Sequence, residues 1–223
     1  MKKSQYKIYC AGPLFNPKEK EEMEQIATVL ENAGYSVFLP QRDGLEFAEL
    51  FPFFLEKGVP SQRALSILNM AIFSLDVFQI MDGAGLLLNM NGRVPDEGAM
   101  VEAGIAWAHN KVVVIFKSDS RSLIQGNCNP LVLGLAEFSF VDSYNDIARA
   151  FETKLSAAVS NFLQAKEPVF QNATIKGKEI SSYLSAQRPN HDIADLLINL
   201  FGDKAWNISE ELKKNYSQVS TQP

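Results

Sequence analysis

The sequence predicts a three-layer α/β/α fold, in which helices cover both faces of a central, mostly parallel five-stranded sheet of the Rossmann or flavodoxin type. Short apolar runs typical of buried strands alternate along the chain with longer segments whose apolar residues recur at helical spacing. Glycine and proline end several of these segments, as at Gly12, Gly34 and Pro40. Strands that alternate with helices form parallel sheets with right-handed crossovers. We therefore expect the loops that follow the strands to lie at one edge of the sheet.

The first predicted elements follow one another as strand, helix, strand and helix, at residues 6–11, 17–33, 35–39 and 61–81. Asn16 and Pro17 are typical of a helix start, and Gly34 is typical of a helix end. Between the second strand and the second helix, an aromatic segment at 47–54 is interrupted by Pro52. We interpret this segment as a loop or short helix over a pocket, with a satellite of the hydrophobic core as the alternative.

The remaining elements are predicted as strand, helix, strand, strand and helix, at residues 85–89, 96–109, 112–116, 138–141 and 142–162. The third and fourth strands are apolar runs, which indicate buried strands. Near residue 165 the sequence becomes polar and mainly helical in pattern. This change predicts two parts, an α/β domain at 1–164 and a helical C-terminal extension of unknown role at 165–223.

The composition is that of a globular protein with a sizeable core. Of the 223 residues, 46% are hydrophobic and 21% are charged, which is ordinary for a globular domain. The net charge of −5 argues against nucleic acid or an anionic membrane as a partner. The two cysteines do not indicate a disulfide framework, no apolar run approaches the roughly 20 residues that span a bilayer, and the N-terminus lacks the core of a signal peptide. These features predict a cytoplasmic protein without nucleic-acid or membrane partners.

Several common kinds of catalytic site have no signature in the sequence. The two histidines, His109 and His191, are far apart and lack the partners and spacing of a metal site. The sequence has no phosphate-binding loop with its lysine and no GxGxxG after the first strand. Serine and cysteine nucleophiles lack a histidine partner. We therefore expect no metal and no organic cofactor, and we expect carboxylates to be the reactive groups.

Three acidic residues are candidates for chemistry near the loops that follow the strands. Glu102 lies on the helix after the third strand, among small residues that indicate close packing rather than free exposure. Asp96 stands at the start of this helix, where a cap is a common role for aspartate. Asp76 interrupts an apolar helical stretch, so it faces either a cleft or solvent. Because ligands bind at such loops in open parallel sheets, a glutamate there favours an enzyme that acts on a small molecule.

Four segments together resemble the nucleoside 2-deoxyribosyltransferase family. They lie between residue 7 and about residue 140, in the order and spacing of that family, at residues 8–15 (IYCAGPLF), Asp76, residues 95–104 (PDEGAMVEAG) and residues 129–131 (NPL). The first and third segments are the more specific ones. The resemblance implies an enzyme of nucleoside salvage that exchanges the bases of 2′-deoxyribonucleosides and uses no cofactor.

The same resemblance implies roles for individual residues. Glu102 would be the nucleophile that attacks the anomeric carbon, held by a hydrogen bond from Tyr9, while Asp76 would exchange a proton with the nucleobase. Asp96 would bind the deoxyribose hydroxyls. Asn129 and Leu131 match a segment that completes a neighbouring subunit's site, which implies a homo-oligomer with shared sites. Further substrate contacts are expected at Gly12, Phe15, Gln41 and Gly98.

Such a set of acids suits the transfer of deoxyribose through a covalent intermediate. A carboxylate stabilises the positive charge that develops on the sugar and can trap it, as in retaining glycosidases. The leaving base needs a proton, and a partly buried Asp76 near other carboxylates would have its pKa raised enough to supply one. Ping-pong kinetics and retention of the β configuration are then expected.

Two other functions remain open from the sequence. One is an N-glycoside hydrolase that uses water as the acceptor and acts on deoxynucleosides or their monophosphates. A monophosphate would favour a serine-rich or basic loop, whereas residues 12–15 are apolar, which favours a neutral nucleoside. The other is a non-catalytic module that senses a nucleoside or nucleotide, because an α/β fold does not by itself decide function.

Overall fold

A computed structural model describes residues 2–92, 96–119 and 128–161, with scattered residues between 175 and 196. Its contacts divide the chain into two units, Met1–Gln164 and Ala165–Pro223. Most of the predicted extension at 165–223 lies outside the described residues, so its helical character and its role stay predictions. The sheet and the candidate site belong to the first unit.

The described part of the first unit is built on four parallel strands, β1 (Lys7–Ala11), β2 (Ser36–Phe38), β3 (Gly85–Asn89) and β4 (Val112–Phe116). They are hydrogen-bonded in the order β2-β1-β3-β4. The described helices are α1 (Pro17–Asn32), α2 (Pro40–Asp43), α3 (Phe47–Glu56), α4 (Ser61–Asp82), α5 (Glu97–Ala108), α6 (Pro130–Leu135) and α7 (Tyr144–Asn161). The predicted α/β fold with a parallel sheet is confirmed.

The predicted fifth strand at 138–141 is wrong. Val141 makes a single parallel bridge with Phe116 of β4. Phe138 has a φ of 61°, a left-handed conformation that interrupts an extended chain. The segment therefore adds one residue to the edge of the sheet, and α7 begins at Tyr144 rather than at Asp142.

Helices cover both faces of the sheet, and side chains alternate between the two faces along each strand. Helices α1 and α7 cover one face, with a core that includes Ile8, Cys10, Met23, Leu87, Phe116 and Phe151. Helix α5 and the end of α4 cover the other face, with a core that includes Tyr9, Ile80, Leu86, Leu88, Ala103 and Val113. The sheet is therefore the middle of three layers, as predicted.

The strand order creates a switch point between β1 and β3. From β1 the chain passes through α1 to β2 on one side, and it later returns to pair β3 with the other side of β1. The loops that begin after Ala11 and Asn89 therefore lead away from each other. In open α/β sheets, the crevice between two such loops is where ligands bind.

The helix predicted to begin at Asn16 and Pro17 is confirmed as α1. The Asn16 side chain accepts the N–H of Glu19 at 3.0 Å, and Pro17 occupies the first helical position. Gly34 follows the helix with a φ of 93°, a conformation that glycine adopts without strain. The buried residues of α1 repeat at the predicted helical spacing, at Met23, Ile26, Ala27 and Leu30.

The aromatic segment around Pro52 forms the short helix α3. Pro52 lies inside this helix, and none of its residues, all of which the structure describes, is buried. The interpretation as a satellite of the core is therefore wrong. The rings of Phe47 and Phe51 stack at 5.3 Å between centroids, Phe53 is 58% exposed, and the helix packs on α4.

Helix α4 corrects the expectation that no segment reaches the length and composition of a membrane span. Among the described residues it is the one helix long and apolar enough to cross a membrane, although such a helix alone is weak evidence. Few of its residues are buried, and its exposed apolar residues are Leu65, Met70, Phe73, Phe78 and Met81. The predicted cytoplasmic location stays a prediction.

Candidate active site

A hydrogen bond joins two of the predicted site residues, Tyr9 and Glu102. The Tyr9 hydroxyl donates to Glu102 Oε1 at 2.6 Å. Tyr9 lies in the middle of β1, is fully buried and stacks on Phe38 of β2, with 5.5 Å between the ring centroids. Glu102 lies in the second turn of α5 and is half-buried. A donor fixed in the sheet therefore orients the carboxylate.

The surroundings of Glu102 disfavour its ionised form. The pKa of Glu102 is raised to about 7, chiefly by burial. The Tyr9 hydrogen bond opposes this rise in pKa, while the Asp76 and Asp96 carboxylates add to it. A poorly solvated carboxylate gains more than a solvated one from meeting a positive charge, such as the charge that develops on a sugar carbon.

Asp76 of α4 reaches the same tyrosine hydroxyl. It is half-buried, burial raises the pKa of its carboxyl, and a hydrogen bond with Tyr9 opposes this rise. A plain surface aspartate, the alternative left open by the sequence, is therefore not what the structure contains. Burial and the two carboxylates raise the pKa of Tyr9 far above its usual range, so its hydroxyl stays protonated.

Tyr9, Glu102 and Asp76 share a single tyrosine hydroxyl proton. A tyrosine hydroxyl carries one proton, and here it is directed to Glu102. The hydrogen bond between Tyr9 and Asp76 lowers the pKa of Asp76, so it also favours an ionised carboxylate, and the one hydroxyl proton serves one acid at a time. Two acids with raised pKa values therefore share one hydroxyl donor, an arrangement that favours one ionised carboxylate beside one protonated acid.

Asp96 caps α5, one of the roles that the sequence left open. Its Oδ1 accepts the N–H of Gly98 at 2.7 Å and of Ala99 at 3.2 Å. No hydrogen bond to its Oδ2 is found among the described residues, so one carboxylate oxygen is available to a ligand. Pro95, which precedes it in the predicted motif, lies outside the described residues.

The small residues of α5 differ in what surrounds them. Ala99, Ala103 and Ala106 are buried against the sheet, as predicted. Among the described residues, a Cβ on Gly98 would meet only Asp96 Oδ1, at 3.1 Å, and a Cβ on Gly104 would meet nothing within 4 Å. The alanines therefore explain the close packing of this helix.

Three predicted substrate contacts, Gly12, Phe15 and Gln41, follow strands β1 and β2. A Cβ on Gly12 would lie 2.6 Å from Met23 Sδ and 2.8 Å from Asn89 Cβ, so packing requires glycine there. Phe15 is 76% exposed. Gln41 is bound to α1, since its Nε2 donates to the Lys20 carbonyl at 2.9 Å. None of the hydrogen bonds described for Gln41 involves Glu102, so its predicted contact with the substrate stays a prediction.

Asn129 and Leu131 form the start of α6. Asn129 Oδ1 accepts the N–H of Leu131 at 2.9 Å and so caps this short helix. Leu131 is 83% exposed, which leaves its side chain facing outwards. None of the contacts described for these two residues involves Glu102, so their place in a neighbouring subunit's site stays a prediction.

The part of the chain that the structure describes contains no group of three histidine, cysteine or acidic side chains suited to a metal ion. The sequence did not lead us to expect buried polar residues at the end of β3. Asn89 and Asn91 are 1% and 7% exposed. A signal was present, because two asparagines close to the end of a leucine-rich strand are unusual for a buried segment.

Similarity to known proteins extends over most of the first unit. The family model described as nucleoside 2-deoxyribosyltransferase matches residues 8–162. No curated protein sequence matches the chain. Among solved structures, a conserved protein from Enterococcus faecalis is 21% identical, with a TM-score of 0.48, and the match covers 67% of this chain and 99% of that one.

Two further solved structures are enzymes by their descriptions. A 2-deoxyribosyltransferase from Bacillus psychrosaccharolyticus is 21% identical, with a TM-score of 0.48 and coverage of 67% of this chain and 95% of that one. A CMP N-glycosidase from Clostridium botulinum is 16% identical, with a TM-score of 0.38 and coverage of 66% and 98%. The family match spans well over half of the 223 residues. The chain therefore belongs to the nucleoside 2-deoxyribosyltransferase family, and the resemblance seen in its sequence is confirmed.

Proposed function

We propose that this protein transfers 2-deoxyribose from one nucleobase to another through a covalent bond between C1′ and Glu102. The family gives the class of substrates, which are nucleosides and free nucleobases. The observation that carries the proposal is the 2.6 Å hydrogen bond from Tyr9 to Glu102, with a half-buried Asp76 at the same hydroxyl. An oriented carboxylate beside an acid is what a double displacement at an anomeric carbon needs.

In the first half-reaction, Glu102 attacks C1′ while the glycosidic bond breaks. The electron pair of that bond leaves with the base, Asp76 gives its proton to the base, and an ester forms between Glu102 and the sugar. In the second half-reaction, another base gives its proton to Asp76 and bonds to C1′ as the ester breaks. Two inversions retain the β configuration, and the first base leaves before the second reacts, so the kinetics are ping-pong.

The neighbouring residues support this chemistry in the proposal. Tyr9 holds Glu102 Oε1, and Oε2 makes no hydrogen bond within the described residues, so Oε2 is the attacking oxygen. The Oδ2 of Asp96 binds deoxyribose hydroxyls while Oδ1 continues to cap α5. Asn129 and Leu131 complete the site of a neighbouring subunit in a homo-oligomer. The mechanism uses no metal and no organic cofactor.

Base exchange with deoxyinosine as donor and adenine as acceptor tests the proposal. We expect deoxyadenosine and hypoxanthine in equal amounts by chromatography, and little hypoxanthine when adenine is omitted. Hypoxanthine that forms equally fast without adenine would identify a hydrolase instead. Nucleoside binding without release of any base would identify a sensing module.

The nucleophile is tested by Glu102→Ala. We expect this variant to lose exchange, because no carboxylate remains to bond to C1′, while circular dichroism shows an unchanged fold. Glu21→Ala is the matched control, since Glu21 is an exposed glutamate on α1. Exchange at the wild-type rate in Glu102→Ala would contradict the assignment of the nucleophile.

A further inference from the structure

On the face of the sheet opposite Tyr9, the carboxylate of Glu22 on α1 holds the residues that end β3. Asn89 Nδ2 donates to Glu22 Oε2 at 2.9 Å, and Asn91 Nδ2 donates to Glu22 Oε1 at 2.8 Å. The hydroxyl of Tyr144 on α7 also donates to Oε1, at 3.3 Å. All three donors are neutral, and the two asparagines are buried.

The backbone fixes the orientation of both asparagine amides. Asn89 Oδ1 accepts the N–H of Asn91 at 3.0 Å. Asn91 Oδ1 accepts the N–H groups of Ser118 and Asp119, at 2.8 and 3.2 Å. Because each oxygen is held by backbone donors, each NH₂ group must point towards Glu22. Glu22 meets them with two accepting oxygens, whereas a glutamine at this position would present one oxygen and one NH₂ group.

The same contacts connect three loops at the carboxyl edge of the sheet. Asn91 joins the loop after β3 to Ser118 and Asp119, which follow β4. Asn89 packs so tightly against Gly12, which follows β1, that a Cβ on that glycine would lie 2.8 Å from Asn89 Cβ. The loop after β3 leads on to Asp96 and α5. Glu22 bonds directly to the two asparagines, and through them it is connected to all three loops.

We propose that Glu22 is a positioning residue, which sets the loops around the crevice so that Asp96 and Glu102 meet the sugar in the reactive geometry. The inference rests on the proposed function and concerns residues on the other face of the sheet from the reacting groups. Displacements of about 1 Å at a reacting centre cost up to roughly 100-fold in rate. Loosening this set of hydrogen bonds is therefore expected to lower catalysis in a folded protein.

A swap of hydrogen-bond polarity tests this inference. Glu22→Gln places an NH₂ group against the NH₂ group of one asparagine, and Asn91→Asp places a carboxylate against that of Glu22. Each single variant should lose about 10- to 100-fold in kcat/KM, including a loss in kcat. The double variant, which combines Glu22→Gln with Asn91→Asp, restores complementary groups. The amide introduced at position 22 can donate to the carboxylate introduced at position 91. Its oxygen can still accept the hydrogen bond from Asn89.

The double variant is the decisive measurement. We expect its kcat/KM to return to within about threefold of wild type, well above either single variant, because the coupled pair is complementary again. Glu21→Gln, the exposed neighbour on α1, should behave like wild type. Rates are measured well below the unfolding transition of every variant, which is followed by urea denaturation.

The outcomes separate this inference from the proposed function. Absence of exchange in the wild-type protein would reject the proposed function itself. Wild-type exchange together with an unchanged kcat in Glu22→Gln would reject the positioning role alone. Recovery of stability without recovery of kcat in the double variant would also reject it, since the contacts would then serve only the fold.

Discussion

At the scale of single residues, Glu102 meets two opposed demands. It must be ionised to act as the nucleophile that we propose, yet burial above all raises its pKa to about 7. An unfolded chain holds this proton with an ordinary glutamate pKa of about 4.3. The protonated form is therefore favoured in the folded state. The stability that this provides is complete below about pH 4 and is lost as the pH rises through about 7.

Glu102→Gln should therefore stabilise the folded protein at alkaline pH while it removes exchange. Glutamine is neutral at every pH, and its oxygen can still accept the hydrogen bond from Tyr9. We expect urea unfolding at about pH 8 to give a free energy of unfolding about 1–3 kcal/mol above that of wild type, with a smaller difference at about pH 5.

An exposed glutamate provides the comparison for this prediction. Glu21→Gln should change the free energy of unfolding by less than about 0.5 kcal/mol at both pH values, because solvent already stabilises its charge. A Glu102→Gln variant no more stable than wild type at the alkaline pH would show that burial does not disfavour the charge of Glu102.

At the scale of elements, Asp96 links the stability of α5 to the candidate site. One oxygen of its carboxylate caps the helix that carries Glu102, and the other is proposed to bind the sugar. The C-terminal end of α4, the helix that carries Asp76, is held differently. Lys111 Nζ donates to the carbonyl groups of Met81 and Gly83, where a cation suits the helix dipole.

Two substitutions at Asp96 should separate its two roles. Asparagine still caps a helix, so Asp96→Asn should unfold in urea like wild type, whereas Asp96→Ala should lose about 1 kcal/mol. Both variants should lose roughly tenfold or more in kcat/KM for deoxyinosine, because neither offers a charged acceptor to the sugar hydroxyls. Wild-type kinetics in Asp96→Asn would show that Asp96 acts as a cap alone.

At the scale of the whole molecule, several large apolar side chains on α4 and α6 are exposed. On α4, Met70, Phe73 and Phe78 are each at least 58% exposed, and Leu131 at the start of α6 is more exposed still. Apolar surface of this kind commonly marks an interaction site. The homo-oligomer in our proposal would cover part of it.

Mixing two inactive variants tests whether subunits share their sites. Glu102→Ala removes the proposed nucleophile. Asn129→Asp keeps the cap of α6 but adds a charge at the residue proposed to enter the neighbour's site. The two variants are mixed in equal amounts, dissociated and reassembled as dimers. Only the mixed dimers contain a site with both Glu102 and the neighbour's Asn129 intact, so about a quarter of all sites would be complete. We expect exchange to recover to about that fraction, measured with deoxyinosine and adenine.

Two results would contradict the shared site. A single subunit by sedimentation equilibrium, with full exchange activity, would exclude it. A mixture that stays inactive, although each variant assembles like wild type, would show that Asn129 does not complete a neighbour's site.

Local sequence signals were sufficient to predict most of the strands and helices of the first unit. Apolar runs gave the four strands, and the residues around Asn16 and Gly34 gave the ends of α1, because periodicity and capping act within a few residues. The prediction of a fifth strand was wrong because it also rested on a local pattern. Its apolar run resembles a strand locally, but a left-handed Phe138 interrupts it.

Contacts between distant side chains could not be predicted from local signals, because they depend on the tertiary structure. Tyr9 and Glu102 are 93 positions apart, and it was the resemblance to a family, not their spacing, that implied the contact between them. Glu22 and Asn89, 67 positions apart, were not predicted to meet at all. Hydrophobic periodicity specifies which face of an element is buried, but contacts between distant residues depend on how whole elements pack. The contacts of Tyr9 with Glu102 and Asp76, and the polar contacts of Glu22, therefore form only when the helices pack on the two faces of the sheet.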